Sequence, residues 1–98
     1  MEVEKIQNAS ELTVKVKGRL DTTTAPDLEK ELVSFDGISV LNFDFSELEY
    51  ISSAGLRVLL ASLKKIQASG GTLNVLNANS DIREVFDVTG FSQLMNIK

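Results

Sequence analysis

The chain contains neither cysteine nor histidine. Without cysteine there is no disulfide framework, no thiolate nucleophile and no zinc site built on sulfur. Without histidine the Ser-His and Cys-His catalytic arrangements are excluded, together with most transition-metal sites. Neither a metal nor a cofactor is therefore expected. Positive charge is also in deficit: Lys+Arg number 10 against 14 Asp+Glu, a net charge of −4. Nucleic acid, whose phosphates need a basic face, is not an expected partner. No apolar run approaches the ~20 residues of a membrane span, so no membrane insertion is expected. The first residues, Met1-Glu2-Val3-Glu4-Lys5, are acidic where a signal peptide is basic and then apolar, which points to the cytoplasm.

What is present is ordinary for a folded domain. The 98 residues are 43% hydrophobic and 24% charged, without a repeat, linker or low-complexity segment, and read as one domain over residues 1–98. Charge is uneven. Residues 1–49 hold five basic and eleven acidic side chains, whereas residues 50–98 hold five basic and three acidic. The acidic half is either a solvated surface or a surface for a basic or amphipathic protein partner.

Residues Leu12, Val14 and Val16 alternate with Thr13, Lys15 and Lys17, the period of a half-buried strand closed by Gly18. Val3 to Gln7 forms a weaker strand, and Asn8-Ala9-Ser10 turns between the two to make an antiparallel hairpin. A helix then begins at Thr24-Ala25-Pro26-Asp27, with Thr24 as the cap and Asp27 at the reciprocal position of a capping box. Leu28, Leu32, Val33 and Phe35 supply its apolar stripe until Asp36-Gly37.

The stretch from Ile38 to Phe45 is apolar at nearly every position, as a central strand buried on both faces would be. Leu56, Leu59, Leu60, Leu63 and Ile66 predict a long helix over residues 54–69, ended by Gly70-Gly71. Thr72 to Leu76 is a further strand. Asp81 to Thr89 is a third helix, with Asp81 and Glu84 at capping-box spacing and Gly90 as its stop. The tail, Phe91 to Lys98, adds a strand or a partial helical turn. The order is β-β-α-β-α-β-α, an α/β domain with a mixed sheet of four to five strands and helices packed mainly on one face.

The most informative stretch runs from Asp44 to Arg57. A central strand ends, the acidic loop Ser46 to Glu49 follows, and Ser52-Ser53 stands directly before the long helix. One of the two serines caps that helix, because a hydroxyl there accepts from the unpaired N–H groups of the first turn. Alternatively a phosphoserine is held there by the same N–H groups and the partial positive charge of the helix end. Asp21 and Asp44 both end strands on the side of the sheet where helix starts gather.

Gly18-Arg19-Leu20-Asp21, Thr24-Ala25, Tyr50-Ile51-Ser52-Ser53-Ala54-Gly55-Leu56 and Val85-Phe86-Asp87-Val88-Thr89-Gly90-Phe91 together resemble the STAS domain of bacterial anti-sigma factor antagonists. The resemblance spans essentially the whole chain. It implies an antagonist that binds an anti-sigma factor which is also a serine kinase, and so frees a sigma factor. The kinase then phosphorylates a serine of the antagonist, the complex dissociates, and a metal-dependent serine phosphatase resets the cycle. The modified residue carried over is Ser53, with Ser52 as the alternative; Ala54 stands where other members have a second hydroxyl, and Ser52 where they have Asp. The implied partner surface is Asp21, Thr22 and Thr23 with Ser52, Ser53, Ala54, Gly55, Leu56 and Arg57. The Arg57 side chain is placed to pair with a partner acid or with the phosphate, or is simply solvated. The chain itself is not expected to be an enzyme, and a monomer or weak dimer is expected.

Two rivals remain. Ser62-Leu63-Lys64-Lys65 matches Ser-x-x-Lys but lies inside the long helix without the companion elements of that chemistry. A STAS domain that is a binding subunit of a transport or signalling complex, with no phosphate switch, keeps the fold and changes the task.

Overall fold

A computed structural model describes residues 1–32 and 34–98. Val33, which the sequence assigns to the first helix stripe, lies outside them. The elements are β1 (Glu2–Asn8), β2 (Glu11–Leu20), α1 (Ala25–Glu31), β3 (Val40–Asp44), β4 (Leu48–Ile51), α2 (Ser53–Ala68), β5 (Thr72–Leu76), α3 (Ser80–Thr89), a 3-10 turn at Phe91–Gln93, and β6 (Asn96–Ile97). The strands form one sheet in the order β1-β2-β3-β5-β6, and β4 pairs with the end of β2. The expected β-β-α-β-α-β-α order is present. Six strands replace the four to five expected, and the tail supplies both a helical turn and a strand.

The hairpin of β1 and β2 is antiparallel, and β3, β5 and β6 are added parallel. Registers place Val14, Phe43 and Val75 side by side, as they do Leu12, Leu41 and Leu73. That face is apolar because period-two alternation sends the same positions of every strand to one side. All three helices contribute to the single core that covers it, among them Leu28 from α1, Leu59 and Ile66 from α2, and Ile82 and Phe86 from α3. Phe43, Phe45 and Phe86 pack as a row, with successive ring centroids 5.8 and 6.5 Å apart.

The opposite face is polar at its centre. Thr13, Asn42, Asn74 and Asn96 lie in register across four strands. Asn96 Nδ2 donates to Asn74 Oδ1 (3.2 Å), Asn74 Nδ2 to Asn42 Oδ1 (2.8 Å), and Asn42 Nδ2 to Glu11 Oε2 (2.7 Å). Asn42 and Asn74 are buried, at 5% and 8% exposure. β3 is thus enclosed on both faces as expected, but by an amide ladder on one of them. A one-residue slip would turn these amides into the apolar core, so the ladder pins the parallel register.

Local departures from expectation have local causes. Gly18 does not close β2; at φ +90 it bends the strand, the register shifts between Gly18 and Arg19, and pairing passes from β3 to β4. Thr24 does not cap α1 through its side chain. Its hydroxyl donates to the Arg19 carbonyl (2.8 Å) and accepts from the Asp21 N–H (2.8 Å) instead. The α1 helix ends at Glu31, so Phe35 is buried from a loop. Asn79, rather than Asp81, caps α3, accepting from Ile82 N–H at 2.9 Å; Gly90 ends that helix as expected.

Candidate functional site

The end of β2 and the start of α2 meet at one corner of the sheet. Leu20 pairs with Ile51 of β4, and the Leu20 carbonyl accepts from Ser52 N–H at 2.9 Å. The close approach requires a glycine at the first turn of α2. A Cβ on Gly55 would stand 2.8 Å from Leu20 Cγ and 2.9 Å from Ile51 Cγ1. Gly55 therefore lets the helix start rest directly on the strands.

The two serines differ in exposure and in hydrogen bonding. Ser52 is the N-cap, with extended backbone (φ −98, ψ 176) and an Oγ that accepts from Gly55 N–H at 3.4 Å. Ser53 is the first helical residue and is exposed; among the described residues its hydroxyl has no hydrogen-bond partner. Helix geometry leaves the first N–H groups without intrahelical acceptors, and no acidic side chain lies in this first turn. The helix end can accept negative charge that the chain does not itself supply.

The remaining candidates separate by exposure. Ala54 is half-buried and Arg57 is exposed, one turn beyond Ser53 on the same helix face. Gly55 and Leu56 are buried. They seat the helix and do not contribute exposed surface. Thr22 and Thr23 are exposed on the neighbouring loop. Asp21 organises that loop: its Oδ1 accepts from Thr23 Oγ1 (2.8 Å), Thr23 N–H (3.0 Å) and Thr24 N–H (3.2 Å). The Thr23 hydroxyl bond is the main reason its carboxyl titrates below the ordinary aspartate value. A smaller desolvation effect works against that bond, and the backbone N–H bonds work with it.

Between this loop and α2 runs a groove of about 290 Å³ lined by Thr22, Ala25, Pro26, Glu29, Ala54, Arg57 and Val58. Its lining combines the apolar groups of Ala25, Pro26, Ala54 and Val58 with the opposite charges of Glu29 and Arg57. Arg19 lies over the ring of Tyr50, 4.2 Å from its centroid, with its Nε 3.8 Å from Asp21 Oδ2. Sequence reasoning did not place Arg19, Glu29 or Tyr50 at the site. An exposed aromatic two residues before the cap was the available signal for Tyr50.

Asp44 does not join this corner. It is level with Lys15 on β2, six residues before Asp21. The Asp44 carboxylate accepts instead from Ser46 N–H (3.0 Å) and Asn77 Nδ2 (3.4 Å). Ser62, of the Ser-x-x-Lys match, is buried and donates to the Val58 carbonyl at 2.9 Å. Among the described residues no group of His, Cys, Asp or Glu is placed to hold a metal ion, and no helix is long and apolar enough to cross a membrane.

Fold and site define a small α/β domain that presents a helix N-terminus and a shallow flanking groove at one corner. The STAS domain family profile matches residues 1–98, and the chain belongs to that family. An anti-sigma-B factor antagonist of Staphylococcus epidermidis is 30% identical over 99 residues, covering 99% of this chain and 92% of that protein. The anti-sigma-B factor antagonist of Bacillus subtilis (strain 168) is 28% identical over 92 residues, covering 93% and 84%. Among solved structures, the Bacillus anti-sigma factor antagonist SpoIIAA in its unphosphorylated form aligns with a TM-score of 0.86 at 17% identity, covering 99% of this chain and 88% of that one.

Proposed function

We propose that this chain is an anti-sigma factor antagonist of the bacterial cytoplasm, switched by phosphorylation of Ser53. In its unmodified form it binds an anti-sigma factor that is also a serine kinase, through Thr22, Thr23, Ser53, Ala54 and Arg57 and the groove between them. Asp21, Ser52, Gly55 and Leu56 hold that surface in place. The kinase transfers the γ-phosphoryl group of ATP to Ser53 Oγ. The bond from phosphorus to the ADP oxygen breaks as the new one forms, and the hydroxyl proton leaves with the kinase base or solvent. A serine phosphatase hydrolyses the ester and restores the binding form.

The observation that carries this reading is the division of labour between adjacent serines. The Ser52 hydroxyl is engaged as the cap, whereas Ser53 offers a free hydroxyl at a helix end with no acid of its own. The added group brings about −1.5 to −2 charge at pH 7, which the helix end tolerates locally. Against an acidic partner surface, two like unit charges ~8 Å apart at an effective dielectric of ~20 repel by about 2 kcal/mol. A near-dianion raises this to about 3 kcal/mol, roughly a hundredfold in affinity.

The test is incubation with the cognate kinase and ATP, read by intact mass. Wild type gains one phosphate, Ser53→Ala gains none, Ser52→Ala still gains one, and Ser53→Asp binds the kinase more weakly than wild type. Phosphate on Ser53→Ala would move the site to another residue. A wild type that binds the partner yet never accepts phosphate would establish the domain as a constitutive binding subunit of a transport or signalling complex.

A further inference from the structure

The outer edge of the sheet carries a second surface, independent of the Ser53 corner. β1 pairs with β2 in unbroken register from Glu2↔Lys17 to Asn8↔Glu11, with neither bulge nor proline. Antiparallel hydrogen bonding leaves every second residue of such a strand with its N–H and C=O directed outwards, and among the described residues no strand lies beyond β1. A regular edge of this kind is a template for another strand. The other edge of the sheet is β6, which has only two residues.

The side chains of β1 limit what can pair there. Val3, Lys5 and Gln7 lie on the helix side, level with Val16, Val14 and Leu12 of β2, and the Lys5 ammonium is held by Glu31 of α1 at 2.9 Å. Glu2, Glu4, Ile6 and Asn8 lie on the helix-free side, where Ile6 is 55% exposed. We propose that the occupant of this edge is a second copy of the chain, its β1 antiparallel to the first about a two-fold axis perpendicular to the sheet.

Symmetry and charge select one register. An axis of this kind passes midway between one residue and the same residue of the second copy, which face each other. Centring on Val3 sets Glu2 opposite Glu4 of the second copy; centring on Glu4 or on Lys5 sets that charge against itself. Like charges directly opposite are destabilising. Centring on Gln7 shortens the overlap to the last residues of the strand. Centring on Ile6 joins the two exposed isoleucines, sets Lys5 opposite Gln7 and Glu4 opposite Asn8, and places no like charges in direct opposition. The two helix-free faces become one continuous surface with the isoleucine pair at its middle.

The absence of cysteine makes this register directly testable. Sedimentation velocity of the full chain, from micromolar to millimolar concentration, shows a reversible monomer–dimer equilibrium. Ile6→Lys, a change at an exposed side chain that circular dichroism shows to be folded, weakens it by about tenfold or more. Under mild oxidation Ile6→Cys forms a disulfide-linked dimer, because directly opposed residues have Cβ atoms close enough for a disulfide. Val88→Cys, at an 81% exposed position on α3, forms one far more slowly. Wild type that stays monomeric at millimolar concentration, a dimer unaffected by Ile6→Lys, or equal crosslinking of the two cysteine variants would each overturn the proposal.

Discussion

Replacing Gly55 by alanine sets two effects of known size against each other. In a helix interior alanine is favoured over glycine by about 1 kcal/mol, so an unconstrained site would be stabilised. Here the new methyl group would lie 2.8 and 3.0 Å from Leu20 Cγ and Cδ2 and 2.9 Å from Ile51 Cγ1. Those atoms are held close to the backbone, and Leu20 and Ile51 are buried at 0% and 5% exposure, so neither side chain can swing into solvent. Overpacking of this kind costs about 1–3 kcal/mol. The net expectation is a loss of about 1 kcal/mol, a fall in Tm of about 4–8 °C for a domain of this length. Thermal and urea unfolding measure it. A double-mutant cycle with Leu20→Ala identifies the cause: the cost of shortening Leu20 should drop by about 1 kcal/mol or more in the Gly55→Ala background. A Gly55→Ala variant as stable as wild type, or additive with Leu20→Ala, would refute the claim that the helix start is seated by direct contact with β2.

Ser52→Ala should cost about 0.5–1 kcal/mol in urea unfolding, the low end of the cap range because its bond is long, while Ser53→Ala should change stability by less than about 0.5 kcal/mol. Asn74→Leu should destabilise by about 1–3 kcal/mol, because it strips the donor from the buried Asn42 carbonyl oxygen and the acceptor from Asn96; denaturant midpoints check this. The folded-state carboxyl of Asp21 titrates below its unfolded value, so its stabilising contribution is present above the ordinary aspartate range and is lost as pH falls through the depressed value. The Thr23 and Thr24 amide resonances should therefore shift at that acidic pH, and in Asp21→Asn the transition should vanish.

Where side chains repeat with the period of the backbone, the sequence was readable. β1, the start of β2, α2 and β5 fall within a residue or two of expectation, since their apolar positions recur at two or at three and four. β4 was invisible for the same reason. Its burial runs buried, exposed, exposed, buried from Leu48 to Ile51, because it pairs with β2 just where that strand shifts register at Gly18 and Arg19. No alternation survives such a pairing. Caps were displaced for another reason. Several hydroxyl, amide or carboxylate residues cluster at the starts of α1 and α3, and tertiary partners decide among them: Thr24 is drawn to the Arg19 carbonyl, and Asn79 caps α3 while its Nδ2 reaches the Leu48 carbonyl at 3.2 Å.

The same physics accounts for what was legible at the candidate site. Ser52, Ser53 and Gly55 stood out because a helix start restricts residue type locally, through cap geometry and a missing Cβ. Arg19, Glu29 and Tyr50 did not, because their place depends on β2 bending to meet β4 and on α1 lying across the groove from α2. Gly18 connects the two cases. Its bend carries β2 away from β3, so that Leu20 can reach Ile51, accept from Ser52 and receive Gly55 against its side chain. Without that bend Leu20 could not meet β4, and the Ser53 hydroxyl would lose the support that fixes its exposure. The conformation of one glycine at the start of the corner and the size of another at its end therefore determine where the exposed serine stands.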